Sequence, residues 1–160
     1  MRSNALKWIF VLLVLCQAGN SYSGEIANCR SPQGYGYFHH SKLTSKGDAG
    51  WENDSVSNGL TTLQRLDNGN YDILLVDVRK KIISLRQDGG EVFLLRRGAE
   101  DATFLHIHPG MAIEMYTFWI DAEGHHKYDL IQSKGGDGMP VHKSAVLIGD
   151  CDKIHFELIK

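Results

Sequence analysis

The chain of 160 residues carries 17 basic and 19 acidic residues, a formal balance of −2, and is 42% hydrophobic and 22% charged. A balance this near neutrality gives no basic surface for nucleic acid as a general partner. The length has room for one domain with its own core but none for a second.

The chain opens with Arg2 and Lys7, followed by an uncharged apolar run from Trp8 to Cys16. A basic start followed by an apolar stretch of this length is the pattern of a secretory leader. A membrane-spanning helix needs roughly 20 apolar residues, and Gln17, Gly19 and Asn20 interrupt the run well before that. The expected division is a signal peptide over residues 1–23 and a single domain over residues 24–160, with no stable membrane span. Lipidation at Cys16 is disfavoured because Leu15 stands where a small residue is wanted. Removing residues 1–23 takes away two basic and no acidic residues, leaving 15 against 19, a balance of −4. The expected location is periplasmic or secreted.

Two cysteines remain after the leader, Cys29 and Cys151, close to the two ends of the domain. In an oxidising compartment an even pair of this kind is expected to form a disulfide. A zinc site would need a third or fourth cysteine that the domain does not have.

From Cys29 to about Asn58 the sequence is rich in Gly, Ser, Asp and Asn, and is expected to hold one short strand near Tyr35–His40 and otherwise loop. After Gly59 apolar residues alternate between turn signals, the pattern of an antiparallel meander. Asn68-Gly69 predicts a two-residue hairpin in which Leu66 faces Tyr71, Arg65 faces Asp72 and Leu63 faces Leu74. Gln87-Asp88-Gly89-Gly90 predicts a second hairpin pairing Arg86 with Glu91, Leu85 with Val92 and Ile83 with Leu94. Asp121-Ala122-Glu123-Gly124 predicts a third, with arms Ala112–Ile120 and His125–Ser133. Further strands are expected at Thr103–His108, Ser144–Ile148 and Ile154–Ile159. The predicted fold is all-β: an antiparallel meander of about eight or nine strands, barrel-like or sandwich, with little helix.

Several segments carry a resemblance: Gly50-Trp51, Tyr71-Asp72-Ile73-Leu74, Gln87-Asp88-Gly89-Gly90-Glu91-Val92, Pro109-Gly110, Glu114-Met115-Tyr116-Thr117-Phe118, Gln132-Ser133-Lys134-Gly135-Gly136 and Cys151. Together they make the chain resemble a set of small uncharacterised exported proteins of Gram-negative bacteria. The resemblance implies an exported β domain with joined ends, and it brings no activity and no assigned residue.

Two constellations have chemistry to weigh. His106 and His108 point to one face of a strand and Glu114 follows on the next, a set similar to the first metal motif of the cupin barrels. The spacing from His108 to Glu114 is one residue longer than that motif, and the plainer reading is two ordinary histidines at a strand end. The second is basic. The register of the second hairpin sets Lys81 opposite Arg96 and gathers Arg79, Lys80 and Arg97 at the same end, a place for an anionic group unless Glu100 and Asp101 neutralise it.

No nucleophile elbow or reactive cysteine is recognisable, so no catalytic residue, metal ligand or cofactor is assigned. The expected function is a non-catalytic exported β domain that binds a ligand or a protein partner in the cell envelope. The alternative is a cupin-like metal-binding barrel or metalloenzyme using His106, His108 and Glu114.

Overall fold

The structure is a computed structural model that describes residues 24–56, 58–76 and 80–160. The expected signal peptide and Cys16 lie outside the described residues, as does Arg79 of the basic cluster. The described residues form ten strands: β1 (Gly24–Phe38), β2 (Gly50–Ser55), β3 (Leu60–Arg65), β4 (Tyr71–Val76), β5 (Ile82–Ser84), β6 (Glu91–Arg97), β7 (Asp101–His108), β8 (Ala112–Ile120), β9 (His126–Lys134) and β10 (Lys143–Cys151). All belong to one antiparallel sheet in the order β5-β4-β3-β1-β10-β9-β8-β7-β6, with β2 on the free side of the second half of β1. The sheet curls into a half-barrel. Among the described residues no helix is long and apolar enough to cross a membrane.

Two expected hairpins form. Leu66 N–H donates to the Asn70 carbonyl at 2.8 Å and Asp121 N–H to that of His125 at 2.9 Å, so each loop holds three residues and closes on a glycine, Gly69 or Gly124, at positive φ. The third loop residue shifts the first hairpin by one position from the predicted register. Arg65 faces Tyr71 and Gln64 faces Asp72. The predicted hairpin at Gly89-Gly90 does not form: β5 pairs with β4, and β6 with β7. These two strands are the opposite edges of the sheet, and residues 85–90 carry the chain between them.

A carboxylate that local sequence does not reveal explains that crossing. Buried Asp72 accepts hydrogen bonds from the Ser84 hydroxyl at 2.6 Å, its neighbour's N–H at Ile73 (2.8 Å) and the Arg86 N–H (3.2 Å). Ser84 Oγ in turn accepts from Gln87 N–H at 3.0 Å. These bonds tie the start of the loop to β4 and turn Leu85 into the core. The pairing that set Lys81 opposite Arg96 is therefore absent, and Arg96 instead bonds Asp101 at 2.6 Å. Lys80 and Lys81 lie beside one edge, Arg96 and Arg97 on the other.

The chain start departs most from expectation. The segment read as loop with one short strand is the 15-residue β1 plus β2. β1 hydrogen-bonds on both sides, to β10 along one edge and to β3 then β2 along the other, with register shifts after Glu25 and after Arg30. β1 also carries the disulfide: its Cys29 stands directly opposite Cys151, the last residue of β10, and the two are joined. The expected last strand, Ile154–Ile159, is instead a short 3-10 turn at Phe156–Leu158 that buries Ile154, Phe156 and Ile159. Tyr71 anchors it, its hydroxyl donating to the Lys160 carbonyl at 2.8 Å.

Inside the curl an aromatic core runs from strand to strand. Tyr71 meets Phe104 at 5.0 Å between ring centres, Phe104 meets Phe118 at 6.0 Å, and Phe118 stacks on Tyr128 at 6.0 Å. Each such pair adds about 1 kcal/mol beyond the area it buries. This core and the C-terminal turn fill one end of the half-barrel.

Candidate functional site

At the other end the inward positions turn polar. Along β7 the inner row runs Ala102, Phe104, His106, and along β8 it runs Phe118, Tyr116, Glu114. β9 continues Tyr128 and Leu130 into Gln132 and Lys134, and β10 continues Leu147 and Ala145 into Lys143. Side chains two apart on a strand share a face, and antiparallel neighbours run in opposite directions. The polar ends of four strands therefore meet at one mouth.

Glu114 is the centre of this group. It faces His106 directly across the β7–β8 pair. His106 Nδ1–H donates to its Oε2 at 2.9 Å, the Tyr116 hydroxyl donates to the same oxygen at 2.8 Å, and Lys134 Nζ donates to Oε1 at 2.8 Å. Burial alone would raise the Glu114 pKa. The His106 bond, then the charge and bond of Lys134, then Tyr116 outweigh it and hold the carboxyl down at about 2. Tyr116 moves the other way, well above its usual 10, because it is buried and faces the Glu114 charge, so it remains a donor.

A second ion pair lies beside the first. Lys143 Nζ bonds Asp54 Oδ2 at 2.6 Å and rests 5.6 Å from the centre of the Phe38 ring. Lys143 and Lys134 are directly opposite in the β9–β10 pair. Above them a cavity of about 230 Å³ opens between β3, β4 and β5 on one wall and β8, β9 and β10 on the other. Leu60, Leu75, Val76, Ile83 and Leu130 make it apolar, and Glu114, Gln132, Lys134 and Lys143 supply its polar side.

No family model, curated protein or solved structure matches this chain.

The proposed metal set does not converge. His106 and His108 do lie on one face, with ring centres 6.4 Å apart, and His106 reaches Glu114. His108 turns away, its Nε2–H donating to the Asp88 carbonyl at 2.8 Å, and the buried nitrogens His106 Nε2 and His108 Nδ1 have no hydrogen-bond partner among the described residues. Among the described residues, the one grouping whose ligand atoms lie within 4.8 Å of one another is Asp121, Glu123 and His125. There Asp121 Oδ1 accepts the N–H of Glu123 and of His125, and Oδ2 accepts from His125 Nδ1 at 3.0 Å, so its oxygens serve the β8–β9 turn. His125 itself is exposed.

The crossing loop braces His106 from behind. A Cβ added at Gly90 would stand 2.2 Å from His106 Nε2 and 2.9 Å from the Leu85 carbonyl. The absence of a side chain at residue 90 is thus what lets the imidazole reach Glu114. Gly90→Ala is expected to destabilise the protein by about 1–3 kcal/mol through this overlap and to shift the His106 ring resonances. Urea unfolding and side-chain NMR check it; an unchanged midpoint with unmoved His106 signals would refute the brace.

Proposed function

We propose that the protein is an exported, non-catalytic binding domain that takes a small ligand with an apolar body into the mouth of its half-barrel. The observation that carries this reading is the cavity of about 230 Å³, apolar on most of its wall and polar along one side. That combination is usual for small-molecule sites, in which apolar contact provides affinity and a few polar groups fix orientation. A water occupies about 30 Å³ of liquid, so the space suits a body on the order of eight non-hydrogen atoms. The disulfide supports an oxidising compartment such as the periplasm or the exterior. A binding role is favoured over catalysis because Glu114, the carboxylate at the mouth, is held near 2 by three donors and is a weak proton acceptor at neutral pH. The resemblance to exported β-domain proteins of Gram-negative bacteria agrees with this location.

The test uses 1-hexanol as an apolar probe. NMR titration of residues 24–160 is expected to give saturable shifts at Leu75, Ile83 and Leu130. Leu75→Trp, which fills the cavity from β4, is expected to weaken binding at least tenfold while keeping the β-sheet circular-dichroism spectrum. Equal binding by wild type and Leu75→Trp places the ligand elsewhere and ends this reading.

A further inference from the structure

We infer that the ligand is a monocarboxylate whose head is held between Lys134 and Lys143, an inference that rests on the cavity reading above and names the ligand class for it. Cross-strand register makes the first argument. Lys134 and Lys143 are directly opposite and line the same cavity, with side chains only 27% and 17% exposed. Directly opposite residues have Cβ atoms about 5 Å apart, and like charges at that separation repel. Glu114 and Asp54 each offset one of these charges, so what the pair leaves over is hydrogen-bond donors rather than net charge.

The resident carboxylates balance the two charges but take few of the donors. Each ammonium has three N–H donors, and each spends one on its own partner, Lys134 on Glu114 and Lys143 on Asp54. Asp54 sits on β2 and is not part of the cavity wall, so the cavity meets Lys143 from the side its partner leaves open. Glu114 is on the wall, but its oxygens already accept from three donors. Gln132 adds to the surplus. It is 4% exposed, lines the cavity between these groups, and its amide has no side-chain partner among the described residues. Its cross-strand neighbours are Glu114 on β8 and Ala145 on β10, the latter too short to fill the space in front of it.

Among the described residues donors therefore outnumber free acceptors on the polar side, and an acceptor-rich head would complement them. A carboxylate can take one bond from each ammonium and one from the Gln132 amide while its chain lies along Leu75, Ile83 and Leu130. The ionised Glu114 on the same wall selects a single negative charge over a phosphate dianion, which it would repel. The orientation is fixed as well: head toward β9 and β10, tail toward β4 and β5.

Calorimetry of residues 24–160 with sodium hexanoate, 1-hexanol and hexyl phosphate at pH 7 decides the matter. Hexanoate is expected to bind about tenfold or more tighter than hexanol, the size of one charge-assisted hydrogen bond or better. Lys143→Gln, which keeps a donor but removes the charge, is expected to erase that preference. Hexanoate and hexanol binding equally to the wild type overturns the carboxylate assignment and leaves the cavity reading intact. Hexyl phosphate binding more tightly than hexanoate overturns the choice of head group. Hexanoate bound equally by Leu75→Trp overturns both readings. The head-group choice is read from the three ligands on the wild-type protein, so that part of the result does not depend on any variant folding.

Discussion

Replacing Cys29 and Cys151 with alanine is expected to lower the unfolding free energy by about 5 kcal/mol. The bond closes a loop with a sequence separation of 122, and in the chain-entropy account a loop of that length restricts the unfolded ensemble by about this much. The folded side of the balance changes little, because the two residues are already neighbours in the β1–β10 ladder, which continues to Phe38 and Lys143 without the bridge. A domain of this size holds roughly 5–15 kcal/mol in total, so the loss is a third or more of its stability. Urea unfolding of the double variant against the oxidised wild type measures it. A difference below about 1 kcal/mol would mean that the unfolded chain is already compact around this pair, against the entropic account.

Acid acts on the other end of the barrel. Glu114 has its pKa lowered from an ordinary 4.5 to about 2 in the folded protein. A depressed carboxyl pKa contributes stability that is fully present above the unfolded value and is lost as pH falls through the folded one. The window is therefore pH 4.5 down to 2, and the linked contribution is about 3 kcal/mol. Glu114→Gln is expected to be less stable than wild type at pH 7 and to converge with it near pH 2. Glu114→Ala goes further, by about 3–5 kcal/mol at pH 7, since it strands a buried ammonium, an imidazole and a phenol without their acceptor. Unfolding curves at pH 7, 4 and 2 for the three proteins check both statements, and parallel pH profiles for wild type and Glu114→Gln would contradict them.

How much of this was readable beforehand depends on whether the cause was local. Asn68-Gly69 and Glu123-Gly124 announce hairpins because the turn chemistry is contained in the turn itself. Gly89-Gly90 carries the same signal and does something else, since Asp72 on β4 captures Ser84 and Arg86 before the strands can meet. β1 was hidden for a different reason. A strand paired on both edges gains its order from ladder hydrogen bonds, so Gly34, Gly36 and Asn28 can occupy it without an apolar alternation to mark them. At the site, His106 and Glu114 were visible as a pair on adjacent strands, although their partnership is a hydrogen bond and their third member is Lys134. Gln132, Lys134, Lys143 and Asp54 were missed. The available sign was phase: on β7, β8, β9 and β10 a polar residue falls in step with the inward apolar row, a pattern meaningful only once four strands are known to end together.

The place of β1 in the middle of the sheet also sets the order in which the protein can be made. A chain synthesised from its N-terminus can join β1 to β2, β3 and β4 early, yet the long outer edge of β1 has no partner until residues 143–151 exist. Pairing the first strand with the last is a slow closure, because the entropy of bringing together residues more than 100 apart must be surrendered before the bonds of that ladder reward it. Until then the first half presents an unfinished seam to its surroundings, and the natural safeguard is to keep the whole polypeptide open and escorted until its last cysteine arrives.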